Sequence, residues 1–122
     1  MKKILCTLVA ILATTFSVAT AANTTPAENA AHQFAFYIGH NDAVKAELMV
    51  SNPELLPAYM SSMLSEINAH GGLKTAKVVS SETHQSQTSV TIAFVCKEGE
   101  FTIEQTFVLT RNGAQEWQVM LK

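Results

Sequence analysis

Apolar side chains recur at Ala31, Phe34, Ala35 and Ile38, in steps of three and four. That spacing puts them on one face of a helix. The small polar stretch 22–29 leads into this helix, and Pro26 can help start it, where a missing N–H costs nothing. Gly39 is expected in the left-handed position that ends a helix. Asn41 or Asp42 can cap a second short helix, Ala43 to Met49. Asn52-Pro53 is another start signal, a cap followed by proline. Pro57 inside a continuing helix would remove the bond to residue 53. The pattern therefore predicts a loose turn over 53–56 and a regular helix from Pro57 to His70. Its buried face is Met60, Met63, Leu64 and Ile67, and Gly71-Gly72 ends it.

From Leu73 the period changes to about 2, the period of a strand. Residues 74–83 alternate weakly around Ala76 and Val78. Thr88 to Lys97 and Phe101 to Thr110 are rich in β-branched and aromatic residues. Glu98-Gly99 suits a two-residue hairpin loop. That loop pairs Lys97 with Glu100, Cys96 with Phe101, Phe94 with Ile103, Ile92 with Gln105 and Val90 with Phe107. This face is apolar except for Gln105. Thr91, Ala93, Thr102, Glu104 and Thr106 lie on the other face, which reads as solvent-facing. Asn112-Gly113 marks a second hairpin before a last strand, Glu116 to Leu121. A three-residue loop, Asn112 to Ala114, pairs Leu109 with Trp117 and Phe107 with Val119. It keeps Trp117, Val119 and Leu121 inward, whereas a one-residue slip would turn them outward.

The first 21 residues follow a different logic. Lys2 and Lys3 precede an apolar run from Ile4 to Phe16, and Ala19-Thr20-Ala21 is a small-x-small cleavage pattern. This order is that of a secretory signal peptide. The run is too short and too rich in small residues for a membrane span of about 20 residues. Cys6 stands before the apolar run rather than after it, which does not suit lipid attachment. Cleavage after Ala21 leaves 22–122 as one domain, in the periplasm or secreted. Loss of Lys2 and Lys3 leaves six basic residues against ten acidic ones, a formal charge of −4. That balance excludes a nucleic-acid or anionic-membrane surface, which needs clustered Lys and Arg. The remaining chain has one cysteine, Cys96, so no disulfide can form within it.

Helices followed by a four-stranded antiparallel meander imply an α+β domain with its helices on one face of the sheet. Four passages then stand out: Gly39-His40-Asn41-Asp42-Ala43-Val44-Lys45-Ala46, Gly71-Gly72-Leu73-Lys74, Ser89-Val90-Thr91-Ile92, and Asn112-Gly113 followed by Glu116-Trp117-Gln118-Val119. With these passages in this arrangement the sequence resembles the nuclear transport factor 2-like (cystatin-like) superfamily. More narrowly, it is similar to a family of small exported bacterial domains of unknown function. The resemblance spans nearly all of 22–122 and implies two to three helices packed on a curved sheet that forms a cone. Many related exported proteins carry a lipidated cysteine that this chain lacks, so membrane tethering is not implied. The superfamily holds enzymes, ligand binders and interaction domains, so the fold leaves function open.

Candidate chemistry is sparse. His32, His40, His70 and His84 contain no H-x-H or H-x-x-x-H pair that would give a metal two ligands, so they read as surface residues. No metal or cofactor is expected. His40 and Asp42 could form an imidazole–carboxylate pair, but Asp42 also reads as a helix cap. Cys96, at a strand end on the apolar face, reads as a buried, inert thiol. Gln105 is the one clearly polar residue on the core face. Burying an unpaired amide costs about 1–3 kcal/mol, so Gln105 either finds a backbone partner or lines a cavity. In the related fold such a cavity lies between the concave sheet and the helices, where Tyr37 and Tyr59 could add polar tips.

Three functions remain. The first is a non-catalytic binding or accessory module for a small ligand or protein partner. The second is a small enzyme of the isomerase or hydrolase type, which needs an ionisable residue inside the cone. The third is self-association, a possible homodimer through the flat threonine face of the sheet.

Overall fold

The computed structural model describes residues 25–99 and 101–122. The signal segment lies outside the described residues, as does the Lys97–Glu100 pairing. Thr25 opens the first helix, α1 (Pro26–Gly39), with a capping box. Its hydroxyl accepts from the Glu28 amide at 3.2 Å, and the Glu28 carboxylate accepts from the Thr25 amide at 2.9 Å. Two of the amides that a helix start leaves free are thereby satisfied. Ala31, Phe34, Ala35 and Ile38 are fully buried, the face expected from their spacing.

Gly39 departs from its expected role, since it stays helical and Asn41 takes the left-handed conformation, φ 59°. A Cβ at Gly39 would overlap the end of the Leu73 side chain. The glycine therefore leaves room for that side chain. Asp42 caps α2 (Ala43–Glu47), accepting from the Lys45 amide at 3.3 Å. This helix stops short of Met49 because the chain turns out to pair with the sheet. A 3-10 turn, Pro53–Leu55, precedes α3 (Leu56–Ala69), as Pro57 requires. Met60, Met63 and Ile67 are buried and Leu64 is half-buried. Gly71 and Gly72 both adopt positive φ, 87° and 93°, and end α3.

Asn52 does not cap the turn that follows it. Its side chain grips Leu121 instead, donating to the carbonyl at 2.6 Å and accepting from the amide at 2.9 Å. Beside it, Val50 forms a parallel bridge to Val119, through Val119 N to the Met49 carbonyl at 2.8 Å and Ser51 N to the Val119 carbonyl at 2.9 Å.

The sheet is an antiparallel meander in the order β1 (Leu73–His84), β2 (Gln87–Cys96), β3 (Thr102–Arg111), β4 (Trp117–Met120). The β2–β3 register is the derived one: Phe94 faces Ile103, Ile92 faces Gln105 and Val90 faces Phe107. The β3–β4 register differs by two residues, since Leu109 faces Val119 and Arg111 faces Trp117. The loop is longer than three residues because the Asn112 side-chain oxygen accepts from the amides of Ala114 at 2.8 Å and Glu116 at 3.0 Å. An even shift preserves faces, so Val119 and Leu121 are buried as expected and Trp117 is half-buried.

The weak alternation of β1 has a cause. The pairing slips between Val78 and Ser80, so Val78 faces Ile92 but Ser81 faces Val90. This bulge at Val79 reverses parity for the rest of the strand. It brings Ser81 and Thr83 to the helix-facing side.

Phe107 centres the core. Its ring meets Phe34 at 5.2 Å, Tyr59 at 6.1 Å and Phe94 at 6.4 Å, all edge to face, a favoured aromatic geometry. Ile103 and Trp117 pack against this cluster from its margin. Phe101, assigned to the core face by parity, is exposed at the sheet end, where it stacks on the His70 ring at 3.6 Å. Ala93, assigned to the solvent face, is buried between its strand partners Lys77 and Glu104, whose long side chains flank a small one.

Candidate functional site

Gln105 and Tyr59 come together. The Tyr59 hydroxyl donates to Gln105 Oε1 at 3.2 Å, and Gln105 Nε2 donates to the Glu104 carbonyl at 3.1 Å. The amide of Gln105 is therefore satisfied at both ends. The pair borders a cleft of about 120 Å³ with Phe107, Met120 and Leu121. Burial pushes the Tyr59 phenol well above its ordinary range. Tyr37 does not line this cleft. It stands over Lys45, whose Nζ lies 5.8 Å from the ring centre.

The histidines are dispersed. His32 Nε2 donates to the Ala76 carbonyl at 2.9 Å, His40 rests on Phe36, His70 Nδ1 donates to the Glu66 carbonyl at 3.0 Å, and His84 meets Glu82 at 3.0 Å. Among the described residues no three His, Cys, Asp or Glu side chains cluster for a metal. Cys96 is fully buried, and burial, then the Glu66 carboxylate, pushes its thiol up.

A groove of about 590 Å³ lies elsewhere, where α1 begins and the two hairpin turns meet. Thr25, Pro26 and Ala27 form one wall. The far half of β1 and the β1–β2 turn supply Ser81, Thr83, Gln85 and Ser86, and β2 supplies Thr88. The Val79 bulge is what turns Ser81 and Thr83 this way. Ser81 donates to the Glu28 carboxylate, tying α1 to β1. Thr83 and Thr88 share one hydroxyl–hydroxyl bond at 3.0 Å, and Thr88 is buried.

Arg111, Gln115 and Trp117 close the groove. Arg111 and Trp117 are cross-strand partners, so both project to the helix-facing side. The guanidinium carbon lies 5.0 Å from the Trp117 ring centre, within cation–π reach. Its Nη1 donates to Gln115 Oε1 at 3.4 Å, and Gln115 is held by a bond from its amide to the Asn112 carbonyl at 3.0 Å. The groove thus presents hydroxyls, amides, an indole and one cation. A volume of this order falls in the range of small-molecule sites, about 300–1,000 Å³.

Arg111 was missed from the sequence, although it is the only arginine in the chain and stands near the only tryptophan. That coincidence, across a turn marked by Asn-Gly, was the available signal.

No family model matches the chain, and no curated protein is significantly similar to it. Its fold is similar to the crystal structure, at 2.00 Å resolution, of a Campylobacter jejuni protein provisionally named an NTF2-like transpeptidase. The TM-score is 0.69 at 12% identity, covering 81% of this chain and 100% of that one. The fold is accordingly the nuclear transport factor 2-like one: among the described residues, three α-helices lie against a four-stranded antiparallel sheet. Among the described residues no helix is long and apolar enough to cross a membrane.

Proposed function

We propose that this chain is an exported, non-catalytic binding module that takes a small polar ligand in the groove between α1 and the two hairpin turns. One observation carries the reading. The groove is larger than the Gln105–Tyr59 cleft, and its walls offer hydrogen bonds and a cation on an indole. Export is supported by the charged, apolar and small-residue order of residues 1–21. The similar fold bears a peptide-transfer name, which favours a second reading, an enzyme acting on peptides. Such a step on a thiol needs an accessible thiolate. Burial and the Glu66 carboxylate both hold Cys96 in its protonated form, which supports the binding reading instead.

Native mass spectrometry of protein purified from an exporting host tests it. A small molecule should remain bound to the wild type and be lost from Ser86→Trp, which fills the groove from an exposed turn. A ligand retained equally by both, or none in either, would reject the groove as the site.

A further inference from the structure

We infer that the groove seats a single carboxylate, carried on a small hydroxyl- or amide-rich molecule and gripped by Arg111. The inference rests on the groove being the binding site. Its first support is charge. Among the described residues that line the groove, Arg111 alone is charged. No carboxylate among the described residues lies within ion-pair distance of it. Among the described lining residues one fixed positive charge stands beside neutral side chains, and it matches one negative charge on a ligand.

The second support is preorganisation. The indole of Trp117 backs the guanidinium, and Gln115 holds one of its nitrogens. The loop carrying Gln115 is pinned by the Asn112 side chain. An arginine so held has less freedom to lose when it binds, and its fork matches the two oxygens of a carboxylate. The N-terminus of α1 also opens here, but Glu28 already meets it in the capping box, so it does not supply the anion seat.

The third support is the rest of the groove. Thr83 and Thr88 hold two hydroxyl protons and share only one hydrogen bond between them, so one is left to donate to a ligand. Ser86 and the Gln85 amide stand on the same wall. A carboxylate fills only a small part of about 590 Å³, and these groups suit the polar body attached to it. The chain's net negative charge opposes an anion at long range but is screened within about 8 Å at physiological salt. Recognition is therefore local and depends on the fork.

The single tryptophan makes the test direct, because Trp117 lines the groove. Tryptophan emission is followed while the full exported chain is titrated with N-acetyl-alanyl-alanine and, separately, with glucuronate. Each acid is compared with its own uncharged amide. The two acids distinguish a peptide terminus from a sugar acid as the carboxylate's source. At least one acid should give a saturable change, binding about tenfold or more tighter than its amide, since charge-assisted bonds are about twice as strong as neutral ones. Arg111→Gln should abolish the difference between acid and amide, and Arg111→Lys should retain only part of it. Circular dichroism confirms that each variant is folded.

Equal binding of acid and amide would overturn the inference and leave the groove standing as a polar binding site. Undiminished acid binding by Arg111→Gln would do the same. No saturable change up to about 10 mM, well above a Kd of about 1 mM, would also overturn it. A wild type that carries no ligand in native mass spectrometry fails the groove reading itself.

Discussion

Phe107 sits where the rings of Phe34, Tyr59 and Phe94 converge, and all three meet it edge to face. Phe107→Ala should lower stability by about 3–5 kcal/mol, measured by urea unfolding, because three rings lose a common partner and cannot all collapse inward. The neighbouring Tyr59–Gln105 bond is better weighed by a double-mutant cycle. Tyr59→Phe and Gln105→Leu should each cost about 1 kcal/mol, and the pair less than their sum, since one bond is lost only once. Tyr59 also predicts a pH dependence. Burial disfavours its phenolate, so the folded chain holds the proton to higher pH than the unfolded chain. As pH rises past about 10, the ordinary tyrosine value, the unfolded state loses its proton first and stability falls. Cys96 is raised in the same direction and adds a parallel loss beginning near a thiol's ordinary value. In a Cys96→Ala background, Tyr59→Phe should lessen the decline above about pH 10, read as a smaller fall of the unfolding midpoint across that range.

The elements differ in how far they could be read from sequence. The β2–β3 register was legible because Glu98-Gly99 fixes a turn and parity fixes the faces. The β3–β4 pairing was legible only in parity. Its length is set by a side chain, Asn112, that accepts two backbone amides, and hydrophobic patterning carries no trace of that bond. Asn112→Ala should therefore cost about 1 kcal/mol and loosen Arg111, seen as faster amide exchange across 112–116. Gly39 was misread because its constraint is Leu73, 34 residues away in sequence. The groove was not legible at all. Its walls come from residues 25–27, 81–88 and 111–117. Each hydroxyl in those segments reads in isolation as a solvent-facing polar position. Only the bulge at Val79, which no turn residue announces, turns Ser81 and Thr83 toward the groove. By contrast Gln105, singled out for its polarity, is explained by one tyrosine.

For the molecule as a whole, export is expected to leave Ala22 as the first residue. N-terminal sequencing from an exporting host checks this, and a dominant species beginning at Met1 would contradict it. A consequence for folding follows from the grip of Asn52 on Leu121. The hairpins of the sheet close between residues near in sequence, whereas this clamp joins residues 69 apart. Loop closure over such a distance is entropically late. Helices and hairpins can form while the chain is still emerging, but the Met49 carbonyl, the Ser51 amide and the Asn52 side chain wait for Val119 and Leu121. A contact made after the rate-limiting step governs escape from the folded state more than entry into it. Asn52→Ala should thus leave the refolding rate nearly unchanged and speed unfolding. The lifetime of the folded protein against a protease would then depend on one asparagine, far from the groove, that decides how often the last strand lets go.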